Sequence, residues 1–338
     1  MIDKVLIVSG IAASLLSPSA QATVFSERPE VKQFVDEMHA EHQIDREHML
    51  TALSQIESSD EIIKRISTPA EALSWDKYRK IFLGPERIND GVKFWQEHYT
   101  TLQQAEKHYG VPAQYIVAII GVESFYGKHG GKYPVLQALA TLAFDYPPRA
   151  PFFRSELKQY FLLTMEQGLD PLALKGSYAG AMGTPQFIAS SYRNYAVDFD
   201  GSGQIDLINN TSHAIGSVGN YFKVHGWQAG HPVAYKVHTK GAKLHALPIA
   251  AKNNPVPEIE LAKIKEHGVT IKDKIHDHSA KVALLEFQGS DQEKEYWLGL
   301  KNFYVITRYN RSSNYAMAVY QLSQELARLR KEYSAKGK

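Results

Sequence analysis

The chain has 338 residues, of which 44% are apolar and 22% charged, ordinary proportions for a soluble globular protein. Its 38 basic and 36 acidic side chains leave a net charge of +2, and no dense basic stripe of the kind that binds nucleic acid is present. There is no cysteine, which excludes disulfides, a thiolate nucleophile and a lipid-modified N-terminal cysteine, so the core alone must hold the fold.

Residues 1–22 read as a signal peptide: Lys4 in the n-region, an apolar run from Val5 to Leu16, and the cleavage pattern Ser19-Ala20-Gln21-Ala22. Thr23 is then the mature start. The run is short for a membrane span, the alternative being an uncleaved anchor. Residues 23–110 form a helical domain, with stripes at Val31, Phe34, Val35 and Met38 and at Met49, Leu50, Leu53 and Ile56. Trp75, Tyr78, Phe82, Phe94 and Trp95 are expected in the core, since aromatic rings carry large packing area.

A core of residues 111–230 follows. Ile116 to Gly127 is an apolar run that closes on one carboxylate, with Pro112 near the expected helix start and Gly127 at its stop. Tyr115, Ile119 and Glu123 then share one stripe, so Glu123 points where apolar neighbours point. Its place in the last turn, near the negative end of the helix dipole, adds to burial in favouring the protonated acid. A carboxylic acid of that kind is a general acid; a buried glutamate held by an arginine or by backbone donors is the structural alternative. Leu136–Phe144 and Phe152–Met165 read as two further helices. Gly176 to Gly183 carries three glycines in eight residues, which lets backbone approach a helix or a ligand. Thr184-Pro185 reads as the start of a helix carrying Gln186.

Asp198 to Asp206 has the look of the first half of an EF-hand calcium loop, with oxygens from Asp198, Asp200, Ser202 and Asp206 and the carbonyl of Gln204. Position twelve is Asn209 instead of a bidentate Glu, so the loop is either a weak ion site or a tight Asx-rich turn of the same shape. Residues 213–228 are helical. Residues 231–307 read as a small β-containing part, from alternation at Val233, Tyr235 and Val237, near Val282–Leu284 and at Phe303–Val305. Residues 308–338 return to helix. The fold class expected is mainly α, of α+β type.

The sequence holds no H-E-x-x-H, G-x-S-x-G or P-loop motif, which leaves carboxylate chemistry. Ordinary glycosidases need two carboxyl groups, and Asp145 and Glu156 are candidate partners for Glu123. A single-carboxylate mechanism instead needs the substrate to supply its own nucleophile.

Gly121-Val122-Glu123-Ser124, Leu136 to Leu142, Lys175 to Gly183, Gln186-Phe187, Ala214 to Val218 with Asn220-Tyr221-Phe222, and Ile306-Thr307-Arg308-Tyr309-Asn310 together resemble the lytic murein transglycosylase B family. They run in the family's order over roughly residues 70–325. The resemblance implies a lysozyme-like catalytic core, a helical domain and a small β part. It makes Glu123 the sole acid and then base, cleaving the β-1,4 bond between N-acetylmuramic acid and N-acetylglucosamine of peptidoglycan with closure of a 1,6-anhydro ring. The alternatives are a hydrolytic muramidase and a non-catalytic glycan-binding scaffold. Ser177, Gln186, Tyr221, Tyr309, Asn310 and Tyr315 match residues around the acid and the sugar subsites, and Met182 a residue of the glycan groove. Phe152 stands where the family commonly has tyrosine. No cofactor is implied for the chemistry, only a weak structural Ca2+. Glycan strands are the implied partner, with cell-wall synthesis or hydrolysis proteins beside them, for a periplasmic monomer that is not lipid-anchored.

Overall fold

Among the described residues, a 3-10 turn at Phe25–Glu27 is followed by six α-helices: α1 (Pro29–His42), α2 (Arg46–Ser54), α3 (Asp60–Ile66), α4 (Trp75–Phe82), α5 (Pro85–Glu97) and α6 (Tyr99–Tyr109). The computed structural model describes residues 24–68, 73–238, 243–275, 277–289 and 293–336; the expected signal peptide lies outside them. Local chemistry sets the helix ends. Asp45 caps α2 by accepting from the Glu47 amide, Ser59 caps α3 through the Ile62 amide, and proline starts α1 and α5. Gly110 leaves α6 in the left-handed region, at φ 70°. Trp75, Tyr78, Phe94 and Trp95 are buried, as their packing area requires.

α7 (Ala113–Ser124) is buried at every position except Gln114 and Glu123. A helix that is apolar all round belongs at the centre of a core. Around it lie α5, α6, α11 (Thr211–Val224) and α14 (Ser313–Lys336). α8 (Val135–Phe144) runs along α9 (Ala150–Gln167), which Gly168 closes, and α10 (Ala189–Tyr195) packs on α9.

The β part is a five-stranded antiparallel sheet in the order β4-β6-β7-β3-β5. Its strands are β3 (Ala234–His238), β4 (Ile259–Glu260), β5 (Thr270–Ile271), β6 (Lys281–Gln288) and β7 (Lys294–Gly299). β1 (Tyr133–Pro134) and β2 (Lys175–Gly176) make a separate two-stranded pair. Period-two alternation sends the two faces of the sheet into different cores. Val282, Leu284, Leu298 and Tyr235 pack with Leu261 and Ile264 of α12 (Leu261–Glu266). Ala283, Leu285, Phe287 and Trp297 join the main core, where Phe287 lies 5.2 Å from Trp75 of α4.

Two sequence expectations are corrected. Phe303–Val305 is not a strand but part of α13 (Lys301–Tyr309), so the strands end at Gly299, ahead of the expected boundary at 307. Phe303 and Ile306, at i and i+3, are both buried on a helical face that three alternating residues could not distinguish from a strand. Thr184–Gln186 does not start a helix. The antiparallel bridge of Met182 with Phe187 closes a tight turn there, with Gln186 at φ 51°, and the helix begins only at Ala189.

Candidate active site

Glu123 sits in the last turn of α7, where the chain leaves the helix unusually. The helix stops at Ser124, three residues before the expected Gly127. Phe125, Tyr126 and Gly127 then all lie in the left-handed region, at φ 53°, 61° and 85°. For non-glycine residues this conformation costs about 1–2 kcal/mol each, so surrounding contacts must impose it. Those contacts are present. Tyr126 inserts between α5 and α7 at two glycines: a Cβ on Gly91 or Gly121 would lie 2.3 or 2.5 Å from its hydroxyl oxygen. The Arg87 guanidinium donates to the Gly121 carbonyl and lies 4.4 Å from the Phe125 ring centre. Ser124 Oγ donates to the Ile120 carbonyl and accepts from the Gly127 amide.

The half-buried Glu123 carboxyl lines a groove of about 1300 Å³. Behind it, the Tyr315 hydroxyl donates to Oε1 at 2.5 Å. Tyr315 is 2% exposed and stacks parallel to Tyr309, with ring centres 6.5 Å apart. Tyr309 donates to the Pro185 carbonyl and Tyr221 to the Arg308 carbonyl, each at 2.6 Å. Burial, followed by the charge of Glu123, holds the Tyr309 and Tyr315 phenols well above their ordinary value. Burial does the same for Tyr221. All three therefore stay protonated as fixed donors. Among the described residues lining the groove, Glu123 is the one carboxylate. Asp145 is instead paired with Arg28 at 2.7 Å, and the buried Glu156 accepts from the Ser190 amide.

The structure divides the remaining expected residues. Gln186, Tyr221, Tyr309 and Asn310 line the groove with Glu123. Gln186 is fixed there by donation to the Gly130 and Gly183 carbonyls. Ser177 is not among the lining residues; its hydroxyl accepts from the Ala179 and Ala181 amides and shapes the loop. Met182 is fully buried and is likewise not among the lining residues. The glycine cluster serves packing: a Cβ on Gly183 would meet the Leu207 carbonyl at 2.4 Å.

The Transglycosylase SLT domain family matches residues 26–324. Membrane-bound lytic murein transglycosylase B of Escherichia coli is 40% identical over 313 residues, which cover 90% of this chain and 84% of that protein. The chain belongs to the lytic murein transglycosylase B family. Two solved structures agree. Catenated SltB1 from Pseudomonas aeruginosa superposes with a TM-score of 0.84 at 47% identity, covering 90% of this chain and 99% of that one. E. coli Slt35, solved in complex with calcium, gives 0.81 at 41%, covering 90% and 95%. The fold is thus that of the lytic transglycosylases, and the activity is lytic cleavage of peptidoglycan.

Within this family site, several lining residues had no distinct sequence signal. Arg149, Arg308, Arg311, Asn253 and Asn254 reach the groove from separate elements. Arg308 belongs to the Ile306-Thr307-Arg308-Tyr309-Asn310 run; it stacks on Tyr304 at 4.1 Å and donates to Asn254. Arg149 follows Pro147-Pro148 and lies over Phe152, 4.4 Å from the ring centre.

The Asp198 loop is where the calcium that the family implies would sit. Asp198 and Asp200 converge as expected, but the third group with them is His213. The Asp206 carboxylate turns away and caps the Ile208 and Asn209 amides, and the Gln204 carbonyl accepts from Ser202. One imidazole with two carboxylates is a poor match to the six to eight oxygens that calcium takes. No step of the chemistry runs through this loop.

Proposed function

We propose that Glu123 alone carries the reaction, as acid and then as base, on glycan strands lying in the groove. The acid protonates the bridging oxygen between N-acetylmuramic acid and N-acetylglucosamine as the bond from C1 breaks. The carboxylate then takes the proton of the muramoyl C6 hydroxyl as that oxygen closes on C1. The nucleophile belongs to the sugar being cut, so the entropy of bringing it up is already met. Tyr315 steadies the carboxylate between the two proton transfers.

The observation that supports this reading is the lack of a second carboxylate among the described lining residues. A hydrolase would need one to activate water. Asp145 and Glu156 are engaged elsewhere. Groove arginines suit the carboxylates of the stem peptides that peptidoglycan strands carry. Among the described residues no helix is long and apolar enough to cross a membrane. With the leader read in residues 1–22, the proposed location is the periplasm, as a protein without a lipid anchor.

Digestion of purified sacculi in heavy-oxygen water tests the chemistry. All new muramic ends are expected to be 1,6-anhydro, with no label at the cut. Labelled reducing ends in most of the product would make the protein a hydrolase.

A further inference from the structure

The Asp198 loop resembles a calcium loop in sequence, yet its interior is occupied by a side chain. His213, in the first turn of α11, is 1% exposed and aims Nε2 into the loop. That nitrogen lies 2.8 Å from Asp200 Oδ1 and 3.1 Å from Asp198 Oδ1, with Ser202 Oγ at 3.3 Å and Asn210 Nδ2 at 3.2 Å. The other ring nitrogen settles the hydrogen. Nδ1 accepts from the Asp206 amide at 2.9 Å, so it carries a lone pair. A neutral imidazole bears one hydrogen, which must then sit on Nε2. The group facing the two carboxylates is therefore a donor, not a metal ligand.

We infer that the Nε2–H of His213 takes the part a cation would play in this loop, so that the loop is held in shape without metal. Every carboxylate oxygen has a donor from the chain. Asp198 Oδ1 accepts from the Ser202 amide and Oδ2 from the Gly203 amide; Asp200 Oδ1 accepts from His213 and Oδ2 from Asn210 Nδ2. These bonds hold the Asp198 carboxyl below the usual aspartate range, the Gly203 amide acting most strongly. The same holds for Asp200, with Asn210 first and His213 next. The twelfth position, Asn209, donates its amide to Asp206 and offers the loop nothing. A divalent ion could use Nε2 only if the hydrogen moved to Nδ1, which would set it against the Asp206 amide, donor against donor. Calcium can enter only by displacing the imidazole.

The test uses the whole mature protein. Melting temperature is measured in chelator and then in millimolar calcium, zinc or nickel, and the His213 tautomer is read from nitrogen–proton correlations by NMR. The expected result is one melting temperature in all of them, with the hydrogen on Nε2. A rise with any of the three metals, or a hydrogen on Nδ1, overturns the inference. His213→Asp, which replaces the donor by a carboxylate, is expected to melt lower in chelator and to recover in calcium. A variant as stable as wild type in chelator would show that the imidazole does not hold the loop. The wild-type measurements decide the question even where that variant fails to fold.

Discussion

At the scale of single residues, the site separates proton transfer from positioning. Glu123→Gln keeps the shape and loses the proton. Turnover is expected to fall by at least ~10²-fold with glycan binding retained, as read by sacculus digestion and a pull-down on intact sacculi. Tyr315 touches Glu123 without lining the groove, so Tyr315→Phe removes one charge-assisted donor and leaves the sugar contacts in place. A loss of roughly 10- to 10²-fold in kcat with KM little changed is expected, from the ~1.5–3 kcal/mol such a bond contributes. A matching rise in KM would place Tyr315 on the substrate instead. His225 stacks on Tyr221 at 4.0 Å, and burial lowers its pKa. Its unfolded form therefore takes up protons, below the ordinary histidine value, that the folded form refuses. Stability contributed by neutral His225 is present above about pH 6.5 and lost as pH falls below it. Melting curves of His225→Gln should fall less steeply through that window than those of wild type.

At the scale of elements, the turn after α7 decides where Glu123 points. Gly121 leaves room for Tyr126, and Tyr126 fixes the left-handed exit of the chain. Gly121→Ala must push that ring aside; a loss of about 1–3 kcal/mol in denaturant unfolding, with a drop in activity beyond the folded fraction lost, is expected. Much of this element was legible in the sequence. The apolar run, the single carboxylate at its end and the stripe of Tyr115 and Ile119 all follow from helical periodicity. The exit was not, because glycine at 127 is the stronger local signal, while Arg87 and Gly91 act from α5, more than thirty residues away. The same holds for the loops. Asp198 and Asp200 could be read from their spacing, and the missing carboxylate near Ser212-His213 as well, whereas the turn of the His213 ring into the loop could not. The burial of Met182 was not legible either, because position within a motif does not report burial. Phe303–Val305 was misread because three alternating residues fit either period.

At the scale of the whole molecule, distant segments are joined through the core. The sheet buries both faces, and Phe287 ties β6 to Trp75 of α4. Phe287→Ala is expected to cost about 3–5 kcal/mol, measured by thermal or denaturant unfolding, since the cavity opens between two elements that cannot easily close on each other. A loss below about 1 kcal/mol would mean that the sheet is not fastened there. The pairing of Glu123 with Tyr315 has a related consequence. The partners stand 192 residues apart, on α7 and α14, and α14 packs directly on α7. The acid acquires its donor only when this late helix docks, so a partly folded chain holds Glu123 without the phenol that steadies it. Full competence to cut peptidoglycan thus comes only once this helix is in place. A chain whose last helix has not yet docked is a blunt tool among the glycan strands it will later sever.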